Sequence, residues 1–161
     1  MEDSQASNQT RDESGYTLQY AYDDATEMAA IYSDDPDTQI GCTVFRPGGA
    51  FHMSATNETP PGFTPTSAEE LQRPQKYTWI SHAETVIIAK CAAHGVQTHG
   101  LSMVVTAFPC APCAASVVWA GIDTLYTTDA AVSSKWVDSQ AAARRILEGA
   151  GVRIVSFKSK K

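Results

Sequence analysis

From Leu101 to Phe157 the chain switches repeatedly between two periodicities, and no other feature restricts the fold as much. Leu101–Thr106, Thr124–Tyr126 and Val152–Phe157 are short apolar runs that read as strands. Between them, Ala111–Trp119 and Gln140–Glu148 read as helices. Gly121 ends the first helix, and Ser139 has the chemistry of an N-cap for the second. A strand that returns parallel to its predecessor needs a long crossover, usually a helix, and such crossovers are right-handed. The alternation therefore predicts parallel strands with helices packed on them.

The first half adds an antiparallel element. Tyr16–Asp34 has helical spacing and stops before Pro36. Ile40–Phe45 and Ala50–Thr56 flank a Pro-Gly-Gly turn and read as a β-hairpin. Asn57 to Gln75 is rich in Pro, Thr and Glu, a loop long enough to be functional or disordered. Ala83–Ala93 is a helix closed near Gly95. The sum is an α/β fold of three layers, α/β/α, around a central mixed five-stranded sheet. A length of 161 residues suits one domain, taken as 16–157, between an acidic disordered lead-in (1–15) and a basic tail (158–161).

Composition narrows the partners. The formal net charge is −6, and the one basic cluster is the terminal "FKSKK", which argues against nucleic acid as a partner. No apolar run approaches the ~20 residues needed to cross a bilayer, so no membrane role is expected. The opening "MEDSQASNQTRDESG" has neither the basic nor the apolar part of a signal peptide. Cys42, Cys91, Cys110 and Cys113 are then expected to be reduced thiols or metal ligands in the cytoplasm.

Chemistry concentrates in "SHAET" and "FPCAPCA". His82, Cys110 and Cys113 offer an imidazole and two thiolates, a ligand set that suits zinc with a fourth position left open. All three sit at helix starts, where the positive end of the helix dipole favours thiolate. Glu84, two residues after His82, is the natural proton carrier for a water acidified by such an ion. This arrangement, His-x-Glu followed by Pro-Cys-x-x-Cys, is the signature of zinc deaminases, in which the glutamate is not a ligand. The competing reading is a closed structural site with Cys91 or His94 as a fourth ligand. Cys91 and Cys42 lie on apolar runs and read as core.

At these residues the chain resembles the cytidine deaminase-like superfamily, and within it the deoxycytidylate (dCMP) deaminase family. "SDDPDTQIGCTVFRPGGAF", "KYTWISHAE", "VTAFPCAPCA" and "DSQAAARRILEGAGVRIVSF" carry the similarity, which extends over about 16–157. The resemblance implies zinc on His82, Cys110 and Cys113, with Glu84 as the catalytic proton shuttle. It also implies that Asn57 contacts the sugar of the bound nucleotide, and that the chain assembles as a homo-oligomer. Ala83, Phe108 as a stacking ring and Lys76 as a cation for a phosphate are further candidate substrate contacts read from the residues themselves. Arg73 is a second candidate cation for a phosphate, Trp79 a second stacking ring, and Trp136 and Asp138 candidates for the pocket mouth.

The expected reaction is zinc-dependent hydrolysis of a free cytosine nucleotide, dCMP to dUMP and ammonia. Glu58 and Pro61 stand where the family has glycine and arginine, and the altered charge motivates a second substrate class: an unphosphorylated cytosine nucleoside, base or related heterocycle. Cytosine in single-stranded nucleic acid is a third, though it calls for a basic groove. A zinc-stabilised binding or regulatory module without turnover is the non-enzymatic alternative.

Overall fold

The computed structural model describes residues 18–49, 51–128 and 134–158. The expected lead-in, the start of the first helix at 16–17, Ala50 and residues 159–161 lie outside them. The elements are α1 (Leu18–Tyr32), β1 (Gly41–Phe45), β2 (His52–Thr56), α2 (Lys76–Trp79), α3 (Ala83–Ala93), β3 (Ser102–Val105), α4 (Ala111–Trp119), β4 (Thr124–Thr128), α5 (Val137–Gly149) and β5 (Arg153–Phe157). They build one mixed sheet in the order β2-β1-β3-β4-β5. The hairpin β1–β2 and the pair β1–β3 are antiparallel, whereas β3, β4 and β5 run parallel.

Central strands covered on both faces need continuous apolar sequence, and β1 and β3 are buried at every position. Cys42, Val44, Met103, Val105 and Leu125 point to one face, where they meet Ile87 and Cys91 of α3, Val117 of α4 and Leu147 of α5. Phe45 and Val104 point to the other, against Ala21 of α1 and the rings of Tyr126 and Phe157. α1 buries Ala21, Ala25 and Ala29, a stripe of small residues at a four-residue spacing. Such a stripe lets the helix backbone approach the sheet at Gly41, where any Cβ would collide with the Ala25 carbonyl.

Helix ends follow from local chemistry. Gly95 and Gly121 take φ of +68° and +70° just past α3 and α4, a left-handed conformation that glycine adopts without strain. Behind each, an apolar residue donates back into the last turn: Val96 to the Cys91 carbonyl and Ile122 to that of Val117. Two expectations need correction. α5 begins at Val137, so Ser139 lies inside the helix and does not cap it. The stretch 57–75 is not featureless, because Ala68–Leu71 forms a 3-10 turn, and the four-residue α2 follows it. An element of four residues is too short to show a period.

Candidate active site

α3 and α4 begin at the same place. His82 and Cys110 are their N-cap residues, both with extended backbone, and Cys113 lies one turn into α4. The His82 Nδ1 atom is 3.5 Å from the Cys110 Sγ and 3.4 Å from the Cys113 Sγ. A tetrahedral zinc bound at about 2.3 Å to sulfur and about 2.0 Å to nitrogen sets an N···S edge of about 3.5 Å. The donor set and its spacing therefore fit the ion, and these three residues can hold it. Neither Cys91 nor His94 joins the cluster, in which all ligand atoms lie within 4.8 Å of one another. Among the described residues three protein ligands meet, which leaves a position open and favours a catalytic over a closed structural site.

Protonation follows from this crowding. A hydrogen bond from Cys113, reinforced by His82, holds the Cys110 thiol down to about 4. The same hydrogen bond, with burial, pushes Cys113 up, and the bond to Cys110 raises His82 above its usual value. Glu84, in the first turn of α3, is only 3% exposed, and its burial raises its pKa against the pull of His82. A carboxyl whose neutral form is favoured by burial, beside a cluster that can hold a metal, is suited to carrying a proton.

Because their N-cap residues point at each other, α3 and α4 receive their caps from elsewhere. Neither His82 nor Cys110 makes a capping hydrogen bond. The Ala83 N–H donates instead to Asn57 Oδ1 at 3.0 Å, and Asn57 Nδ2 donates to the Thr38 carbonyl at 2.7 Å. At α4 the Ala111 N–H donates to Ser139 Oγ at 3.0 Å. Asn57 and Ala83 are both buried, and the Ala83 N–H donates to Asn57.

One pocket contains the chemistry. His82, Cys110 and Glu84 line it together with Asn57 and Phe108, and so do three cations, Arg73, Lys76 and Lys135. Lys76, which as an exposed-looking lysine invites a reading as solvated surface, is 1% exposed. Its Nζ lies 2.6 Å from Asp35 Oδ1 and 3.1 Å from Asp37 Oδ2. Burial pushes Asp35 up, but Lys76 and the N–H groups of Asp37 and Thr38 outweigh it and hold the carboxyl below its usual value. Lys135 donates to the Tyr77 hydroxyl and sits over the Tyr77 ring at 4.7 Å. That hydrogen bond lowers the phenol's pKa.

Other expected residues are used differently. Trp79 stacks on Phe63, with ring centroids 4.7 Å apart, and Asp138 is absent from the pocket lining, whereas Trp136 belongs to it and stands edge-on to His82. Glu58 is bound by Lys90 at 2.7 Å and is not a lining residue. Cys42 and Cys91 are buried in the core. Asp35, Tyr77, Lys135 and Gln140 escape sequence reasoning, since only the folded chain brings them beside the ligands. For Lys135, adjacency to Trp136 is the one available signal.

The cytidine and deoxycytidylate deaminase zinc-binding region matches residues 16–128. A protein of Aliivibrio fischeri, described as an uncharacterized deaminase in the luxG 3′ region, is 28% identical over 132 residues, 80% of this chain and 85% of that one. The deoxycytidylate deaminase of Homo sapiens is 28% identical over 136 residues, 81% of this chain and 74% of the relative. Among solved structures, the dCMP deaminase of cyanophage S-TIM5 in complex with dCMP and dUMP superposes with a TM-score of 0.63 at 22% identity, covering 87% of this chain and 96% of that one. Since the matched region spans both ligand-bearing helices and four of the five strands, the chain belongs to the cytidine and deoxycytidylate deaminase family.

Proposed function

We propose that this chain hydrolyses a free cytosine nucleotide, dCMP to dUMP and ammonia, with zinc on His82, Cys110 and Cys113. The observation that carries the reading is one pocket lined by His82, Cys110 and Glu84 and also by Arg73, Lys76 and Lys135. The human relative's name and the cyanophage neighbour's ligands point the same way.

When bound, zinc supplies a Lewis acid that brings the pKa of water to about 7. Glu84 takes a proton from the attacking water, delivers it to N3 of the ring, and moves a second to the amine as the C4–N bond breaks. Its raised pKa suits a group that must both accept and release. Asn57 has one N–H and one lone pair committed within the fold, which leaves one of each for a sugar hydroxyl. Phe108 carries Arg144 on one side of its ring, at 4.9 Å, and the ring is available to a pyrimidine from the pocket.

Arg73 and Lys135 are the cations proposed for the phosphate, with Lys76 behind them neutralised by its two carboxylates. Glu58, whose charge argues against a phosphate on sequence grounds, is held by Lys90 away from the pocket lining. The neutralised Lys76 keeps one second reading in play, a deaminase of the unphosphorylated nucleoside. Ammonia release from dCMP and deoxycytidine separates the two. A preference for dCMP of tenfold or more in kcat/KM is expected, and equal efficiency removes the phosphate from the assignment. Free thiols suit a reducing compartment such as the cytoplasm. Association into a homo-oligomer belongs to the same proposal, and sedimentation velocity tests it.

A further inference from the structure

We infer that Ser139, with Gln140 beside it, is a positioning residue for the metal centre, holding the turn that presents Cys110. The inference rests on the zinc reading of His82, Cys110 and Cys113. An N-cap residue ordinarily uses its side chain to satisfy an orphan N–H of its own helix. Cys110 holds the N-cap of α4 while its sulfur is directed at His82, so it makes no such bond. Pro112, in the first turn, has no N–H to satisfy. The Ala111 N–H is therefore the group next to the ligand that most needs an acceptor, and Ser139 Oγ supplies it from α5.

Gln140 acts on the other side of the same turn. Its Nε2 donates to the Phe108 carbonyl at 2.8 Å. Two consecutive α5 residues thus hold positions 108 and 111, and Cys110 lies between the two anchor points. Arg144, one turn further along α5, covers the Phe108 ring. Asn57 does the equivalent at α3, where it binds the N–H adjacent to His82. In both helices the ligand has given up the cap, and a side chain from a distant segment provides it. Holding Cys110 in place before the ion arrives reduces the ordering that zinc must impose, so the clamp should appear in metal affinity.

Ser139→Ala and Ser139→Thr test this in the full chain. Alanine is the better helix former, so the first variant is expected to fold. Zinc affinity is measured by competition with a chromophoric chelator, and thermal unfolding is followed with and without zinc. Ser139→Ala should release zinc about tenfold more readily, the low end of the effect of outer-shell partners, and Ser139→Thr, which keeps the hydroxyl, should restore retention. A cap that serves only stability lowers melting of the zinc-free and zinc-loaded forms alike and leaves zinc affinity at the wild-type value. That result, or failure of threonine to rescue, overturns the inference while the zinc centre stands. A wild-type chain that binds no zinc overturns both.

Discussion

Glu84 and Asp35 are both buried carboxyl groups on the wall of one pocket, and their surroundings send them in opposite directions. Burial dominates at Glu84 and raises its pKa, whereas Lys76 and two backbone N–H groups overcome burial at Asp35. The first can carry a proton and the second is committed to charge. Glu84→Gln keeps the shape and removes the titration. It is expected to lower kcat by at least about 10²-fold with zinc content unchanged, as read by ammonia release and metal analysis. Asp35→Asn leaves the Lys76 ammonium buried with only the half-exposed Asp37, a loss of about 3 kcal/mol at neutral pH. A carboxyl lowered by folding contributes stability above its unfolded pKa, and loses it as pH falls through its folded value. The gap between wild type and Asp35→Asn should therefore be full at pH 7 and shrink below about pH 4, as followed by urea unfolding at several pH values.

At the scale of elements, α1 is held by small residues. A Cβ at Gly41 meets the Ala25 backbone, which cannot swing aside as a side chain can. Gly41→Ala should cost about 1–3 kcal/mol or more and lower the melting temperature, with the loss visible before any effect on metal content. The same scale shows what can be read from spacing. Ala83–Ala93 and Ala111–Trp119 are legible to the residue because a turn precedes each and a left-handed glycine follows each. Ser139 misleads for a physical reason. A serine near a helix start looks like that helix's cap, but its hydroxyl serves α4, and no local pattern reports an acceptor that crosses between helices. Lys76 misleads likewise, since the carboxylates that allow its burial lie some forty positions earlier, at Asp35 and Asp37. The ligand triad is legible without its partners, because residue type, order and spacing in His-x-Glu and Pro-Cys-x-x-Cys together carry the signature.

For the whole molecule, the decisive comparison is between the metal centre and the core. Small metal domains unfold without their ion because they have little else to bury. Among the described residues sixteen buried ones form one continuous cluster between the sheet and α3, α4 and α5, and β1 and β3 are covered on both faces. The three residues that can hold a metal sit beside that core, at the starts of two helices. Removal of zinc should therefore abolish turnover without dismantling the fold. Zinc at about 1,000 times its Kd stabilises by about 4 kcal/mol, which for a chain of this size corresponds to a melting shift of about 10 °C. Chelation is expected to bring the melting temperature down by that order while far-UV circular dichroism at 25 °C is retained, and added zinc should restore ammonia release. If the chain unfolds on chelation, the metal is a structural support and the zinc-stabilised module becomes the better reading. If turnover survives complete removal of metal, the role assigned to His82, Cys110 and Cys113 is wrong, and Glu84 must act on water without an ion beside it.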